Sequence, residues 1–242
     1  MRKQSASRRT FLQEATSRYH RTLAGSPAAA YLDARGIADG SERFRLGFVS
    51  DPLPGHEVYR GWLAIPYLRR ATGDRWSVAT MRFRCVEDHE HRGHGKYMSQ
   101  PGDPPRLFNT LDLQSSSDVV ALCEGEIDTI SAALSGVPAV GVAGVESWKP
   151  HFVLPFQGFE TVVMLADNDP LQFLKACPKC KPKDCKGHNP GMDFAKAMAK
   201  QLHNLRIAPS ALGEDVNSEM RAHGREYIRT KVLSGARTKE SP

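Results

Sequence analysis

At 242 residues, 40% apolar and 25% charged, the chain can hold one or two packed domains and is composed like a globular protein, not a disordered or fibrous one. No apolar run approaches the ~20 residues of a membrane span. The basic, Ser-rich start (Met1 to Arg9) leads into no apolar leader stretch, so a cytoplasmic protein with no membrane partner is expected. Residues 1–110 hold 18 Lys and Arg against 11 Asp and Glu, a net +7, whereas 111–242 hold 15 against 16, a net −1. Most of the cations in the front part are Arg, whose planar fork grips phosphate, so a polyanion such as nucleic acid is the expected partner. Five cysteines, three of them within nine residues, fit a metal site in a reducing compartment better than a disulfide framework.

In chain order, a polar arm leads to a helix expected from Phe11 to Leu23, with Phe11, Leu12, Ala15, Tyr19 and Leu23 near one face. Ser26-Pro27 has the form of an N-cap and first helical residue, and Arg35-Gly36 ends the helix that follows. An apolar strand is expected over Phe44 to Val49, turning at Gly47. From Arg60 to Arg84 the pattern is that of a hairpin about a turn at Ala71-Thr72-Gly73-Asp74. Strict alternation puts Val78, Thr80, Arg82 and Arg84 on one face, opposite Ala79, Met81 and Phe83. Such a hairpin would present Arg82 and Arg84 to a nucleic-acid backbone. The stretch Glu87 to Gly95, with His89, His91 and His94, is expected to be a mobile loop; a metal site is not expected there, because no Cys or helical spacing supports one.

After a linker over 112–117, Val119 to Cys123 and Thr161 to Ala166 are short apolar runs closed abruptly by carboxylates. Runs of this kind fit strands buried on both faces of a parallel sheet. Such a sheet delivers Glu124, Asp167 and Asp169 to one carboxyl edge, with Asp128 one helical turn beyond Glu124. Hard carboxylate oxygens on short loops suit Mg²⁺ or Mn²⁺. Over 170–190 the motif Cys177-x₂-Cys180-x₄-Cys185-x₂-His188 supplies four soft ligands for a structural zinc, in a stretch with five lysines. A helix from Gly191 to about His203 and a strand from Asn204 to Ala208 follow. Gly213 to Glu219 precedes a helix running to Val232, capped by Asn217 or Ser218, and the last ten residues are expected to be a disordered tail.

The ordered pair Glu124-Gly125 and Asp167-x-Asp169, each on its own strand, resembles the Toprim domain of bacterial primases, topoisomerases and recombination-repair proteins. Tyr31-Leu32-x-x-Arg35-Gly36-Ile37 resembles the segment that opens the polymerase core of DnaG-type primases, and Phe44 to Val49 its next element. Arg60 to Arg84 and Lys96-Tyr97-Met98-Ser99-Gln100-Pro101 are similar to later segments of that core, with Ser99 for an Asn and Thr110 where a Lys stands. Gly213-Glu214-Asp215-Val216-Asn217-Ser218-Glu219 resembles its Gly-x-Asp-x-Asp-Glu loop, Asn217 replacing the second Asp.

The resemblance covers about 11–225. It implies an α/β protein: a basic α+β subdomain over 1–111, a Toprim domain over 118–210 with a central parallel sheet flanked by helices, and a C-terminal helix and tail over 211–242. It also implies a DNA primase core that condenses ribonucleoside triphosphates into short RNA primers on single-stranded DNA. Glu124, Asp167 and Asp169 would hold Mg²⁺ or Mn²⁺, helped by Asp215 and Asp128. Arg60, Arg82, Arg84, Lys96 and Tyr97 would meet template and nucleotide. A replicative helicase in trans is the implied partner, in the cytoplasm of a bacterial host if the chain is phage-encoded. A Toprim nuclease and a non-catalytic single-strand-binding accessory protein are the alternatives.

Overall fold

A computed structural model describes residues 4–71, 76–173, 185 and 187–237. The chain divides into two compact units, 1–111 and 112–242. No helix among the described residues is long and apolar enough to cross a membrane.

The first unit begins with α1 (Ala6–Arg21), five residues ahead of the expected start. Ser5 supplies the reason: its Oγ accepts from the Arg8 N–H at 3.1 Å and caps the helix. Helix α2 (Pro27–Ala34) has Ser26 as cap and Pro27 at its first position. Short α3 (Ser41–Phe44) closes on Arg45 in the left-handed region (φ 52°). Strands β1 (Gly47–Phe48), β2 (Leu63–Arg70), β3 (Trp76–Arg84) and β4 (Tyr97–Ser99) form an antiparallel sheet in sequence order. The expected turn at Gly47 is a strand residue instead. A Cβ there would lie 2.5 Å from the Tyr19 carbonyl carbon, so Gly47 lets α1 pack directly on the sheet.

The expected alternation of β3 fails at one place. Tyr67 pairs with Thr80 but Leu68 with Val78, so Ala79 is the extra residue of a bulge. Val78 is thereby turned to the side of Met81 and Phe83, and all three join Leu12, Tyr19 and Tyr59 in the core. Of the expected turn that joins β2 to β3, residues 72–74 lie outside the described residues.

The second unit is a parallel sheet, order β6-β5-β7-β8, flanked by helices. Its elements are β5 (Val119–Cys123), α4 (Glu126–Leu134), β6 (Ala139–Gly141), β7 (Thr161–Ala166), α5 (Pro190–Ala199), β8 (Leu205–Pro209), α6 (Val216–His223) and α7 (Arg225–Arg237). The α/β class expected from the strand pattern is the one observed. The segment expected as a linker carries a 3₁₀ turn (Thr110–Gln114), and Asp112 Oδ2 accepts from the Ala139 N–H at 3.1 Å. The single helix expected to run to Val232 is two, broken at Gly224 (φ 85°), and the start of the expected disordered tail is helical through Arg237. Gly235 is the reason: a Cβ there would sit 3.2 Å from Val163 Cγ1, which packs the end of α7 on the sheet.

Candidate metal centre and basic surface

Strands β5 and β7 are neighbours, with Cys123 opposite Leu165, so Glu124 and Asp167 leave the sheet side by side. The Asp167 N–H donates to Glu124 Oε1 at 3.2 Å, which fixes one carboxylate by the backbone of the other. Two backbone bonds bring in the third loop: the Gly213 N–H donates to Asn168 O at 2.7 Å, and the Asn168 N–H to Glu214 O at 3.3 Å. That pairing places Asp215 at the same edge, where it caps α6 by accepting from the Ser218 N–H at 2.6 Å. Neither Asn217 nor Ser218 is the cap residue. Asn217 is fully buried, its Nδ2 donating to Ser131 Oγ at 2.9 Å and its N–H to Asp128 Oδ1 at 3.1 Å, so its side chain joins α4 to α6.

The electrostatics are those of crowded acids. Burial, above all, raises Glu124 to about 7; the Asp167 N–H opposes this, while Asp128 and Asp169 add to it. Asp167 is raised further, by burial first and then by Asp128, Glu124, Asp215 and Asp169. The charged groups that act on it most are all carboxylates. Asp167 Oδ1 is buried without a hydrogen-bond partner among the described residues. A buried oxygen with nothing to accept from, set among carboxylates, fits a hard divalent cation: Mg²⁺ or Mn²⁺ rather than a soft metal.

The sequence argument missed the two residues that close the edge. Asn189 caps α5 through Oδ1, accepting from the Met192 N–H at 3.0 Å, while its Nδ2 donates to Asn168 Oδ1 at 2.9 Å and Asp169 O at 2.7 Å. At Gly191 a Cβ would come within 2.4 Å of Asp167 O and 2.8 Å of Glu124 Oε1. The Asn-Pro-Gly string was a legible helix start; its contact with the carboxylates was not. Of the expected zinc ligands, Cys177 and Cys180 lie outside the described residues. Cys185 is half-buried, and His188 Nδ1 lies 3.3 Å from Asp193 Oδ2.

In the first unit the predicted basic residues separate. Arg60 is exposed and donates to Ser50 O at 2.6 Å; Lys96 is exposed at the start of β4. Arg84 is not on a wet face, as the alternation suggested, but only 5% exposed. Its guanidinium lies 4.8 Å from the Tyr31 ring centre and 4.6 Å from that of Tyr97, whose hydroxyl it also bonds. Arg82 stands 5.0 Å from the Tyr97 ring centre. Tyr31 is thus half of a cation–π sandwich. The loop 87–95 is no free excursion either: the Cys85 N–H donates to Lys96 O at 3.0 Å and closes its base.

A parallel sheet with acids at its carboxyl edge and a basic antiparallel unit, both in one chain, make the fold of DnaG-like primase catalytic cores. The chain is similar to the DnaG primase catalytic domain solved with single-stranded DNA (TM-score 0.66, 17% identity, 93% of this chain and 80% of that one). It is similar also to the RNA polymerase domain of Mycobacterium tuberculosis primase DnaG (TM-score 0.68, 17% identity, 95% and 84%). A DNA primase domain from Pseudomonas aeruginosa gives a TM-score of 0.68 at 19% identity over 93% and 77%. No protein-family model matches the chain. The chain belongs to the family of the Gene 57 protein of Mycobacterium phage D29, with which it is 44% identical over 175 residues, 72% of this chain and 100% of that protein.

Proposed function

We propose that the chain is a primase-type nucleotidyltransferase, joining ribonucleoside triphosphates into short RNA primers on single-stranded DNA. The observation that carries this reading is the buried, unpartnered Asp167 Oδ1 among Glu124, Asp128, Asp169 and Asp215, on a DnaG-like backbone. In this reading the second unit is a Toprim domain, with bounds near 118–210, and 211–242 closes it. Glu124, Asp167 and Asp169 hold Mg²⁺ or Mn²⁺, with Asp215 and Asp128 beside them. A divalent cation bound there supplies charge neutralisation for a triphosphate and acidifies an attacking hydroxyl.

The chain's own groups do the positioning. The Asp167 amide orients Glu124, Asn189 clamps the Asp169 backbone, and Gly191 leaves room for the Asp167 carbonyl and the Glu124 carboxylate. Arg60, Arg82 and Lys96 offer charge to template and nucleotide phosphates. Arg84 braces the Tyr97 ring, on which a base would stack. Cys177, Cys180, Cys185 and His188 hold a structural zinc in the insert. The phage relative supports a phage-encoded protein; in this reading it works in a host cytoplasm with a helicase in trans.

Labelled ribonucleotides and a single-stranded template test the reading. Short labelled products support it; a shortened template instead identifies a nuclease, and binding with neither identifies an accessory protein. Asp167→Asn should lower synthesis by at least about 100-fold, because several kcal/mol of charge stabilisation depend on the ion it holds. Binding of single-stranded DNA should be unchanged. Synthesis within a few-fold of wild type would remove Asp167 from the site.

A further inference from the structure

Among the described residues, one group of Cys, His, Asp and Glu ligand atoms closes to within 4.8 Å of one another, and it is not the acidic edge but Cys85, His89, His91 and His94. We propose that these four side chains bind one zinc ion in a closed tetrahedral site that staples the β3–β4 connection. The absence of a supporting cysteine, the argument against a metal here, is overturned by Cys85, which immediately follows β3 and is 4% exposed.

The distances carry the assignment. Cys85 Sγ lies 3.8 Å from His89 Nε2, and His89 Nε2 lies 3.2 Å from His94 Nε2. Zinc at about 2.3 Å from sulfur and about 2.0–2.1 Å from nitrogen, with tetrahedral angles, requires S···N near 3.6 Å and N···N near 3.3 Å. Both observed separations fall within about 0.2 Å of those values. The three imidazole centroids are 4.9, 5.2 and 5.2 Å apart, close for rings that carry no opposite charge between them.

Two ligands are also held from behind, as metal-bound histidines are. His94 Nδ1 bonds Gly95 O at 3.1 Å, which puts the proton on Nδ1 and leaves the Nε2 lone pair facing the cluster. His89 Nδ1 lies 3.3 Å from Glu87 Oε2. His91 Nδ1 is buried with no hydrogen-bond partner among the described residues. Trp62, 5.0 Å from the His94 ring centre, covers one side.

The site has a purpose in the chain. Ordering a segment costs conformational entropy, and 86–95, exposed over 87–90, has little apolar packing to offset it. An ion bound by all four ligands fixes the segment and sets Lys96 and Tyr97 as they enter β4 opposite Arg84.

The test uses the full chain with Cys177→Ser/Cys180→Ser, which removes two thiols of the other candidate site. Plasma mass spectrometry should still find one equivalent of zinc. The cobalt-loaded form should show tetrahedral ligand-field bands together with a thiolate-to-cobalt charge-transfer band. Adding Cys85→Ser should abolish that band and weaken zinc binding by more than about 100-fold, because losing even an outer-shell partner costs 10–100-fold. His94→Asn should weaken binding likewise. The proposal is overturned if the double variant binds no metal, or if cobalt shows no thiolate band. It is equally overturned if zinc binding survives undiminished in both added variants. The cobalt spectrum is read with Cys85 intact, so it decides even where Cys85→Ser does not fold.

Discussion

A methyl group at position 191 would meet Asp167 O at 2.4 Å and Glu124 Oε1 at 2.8 Å, and both belong to groups held by strand ends that cannot retreat. Gly191→Ala should therefore move α5 or the carboxylates. Overpacking of this size costs about 1–3 kcal/mol, and a misplacement near 1 Å can cost about 10²-fold in rate. A 10- to 100-fold fall in primer synthesis with unchanged DNA binding is expected. Equal synthesis by the variant would show that the edge has slack. His56 offers a residue-scale test of a different kind. It is fully buried among Phe11, Tyr19, Tyr59 and Phe83, with Nδ1 2.9 Å from the Tyr19 hydroxyl. Burial first, then Arg8, lowers it from 6.5 to about 4. Between those values the unfolded chain binds a proton that the folded chain does not, so stability is lost as pH falls from 6.5 to 4. The full loss is on the order of 3 kcal/mol. Urea midpoints at pH 7 and pH 4.5 should differ accordingly, and His56→Gln should flatten the difference. An identical acid slope in both proteins would assign it to other groups.

At the scale of elements, the Tyr31–Arg84–Tyr97 sandwich ties α2, β3 and β4 by one side chain. Its desolvated cation–π contacts are worth about 2 kcal/mol. Arg84→Ala should thus lower the thermal midpoint as well as DNA affinity, whereas Arg82→Ala, on a half-exposed side chain, should lower affinity alone. Melting curves and fluorescence anisotropy on the two variants separate these effects; matching midpoints would count against a structural role for Arg84. The bulge in β3 was equally hidden in the sequence, since Ser77-Val78-Ala79-Thr80 has no Gly or Pro. A shift of one residue reverses every side chain beyond it, so alternation misplaced Val78. The break between α6 and α7 was legible, since Gly224 stands in the middle of the run, but the amphipathic pattern on both sides masked it.

For the molecule as a whole, the parallel sheet was the most legible part. Strands buried on both faces must be apolar throughout, so Val119 to Cys123 and Thr161 to Ala166 announce themselves, and the carboxylates that end them mark the edge. Contacts between distant segments left no such trace. Nothing local links Gly213 to Asn168, whose backbone bond forms only after the strands pair. The stretch between Asp169 and Asn189 has a consequence for how such a chain can vary. Gln172 and His188 exchange two backbone bonds, and Asn189 grips Asp169 O, so the two ends of the segment are held together in a narrow neck. Each doubling of a closed loop costs only about 0.6 kcal/mol. Relatives can therefore lengthen, shorten or exchange what lies beyond that neck, as a tool is changed in a fixed handle, and keep the carboxylates where they are.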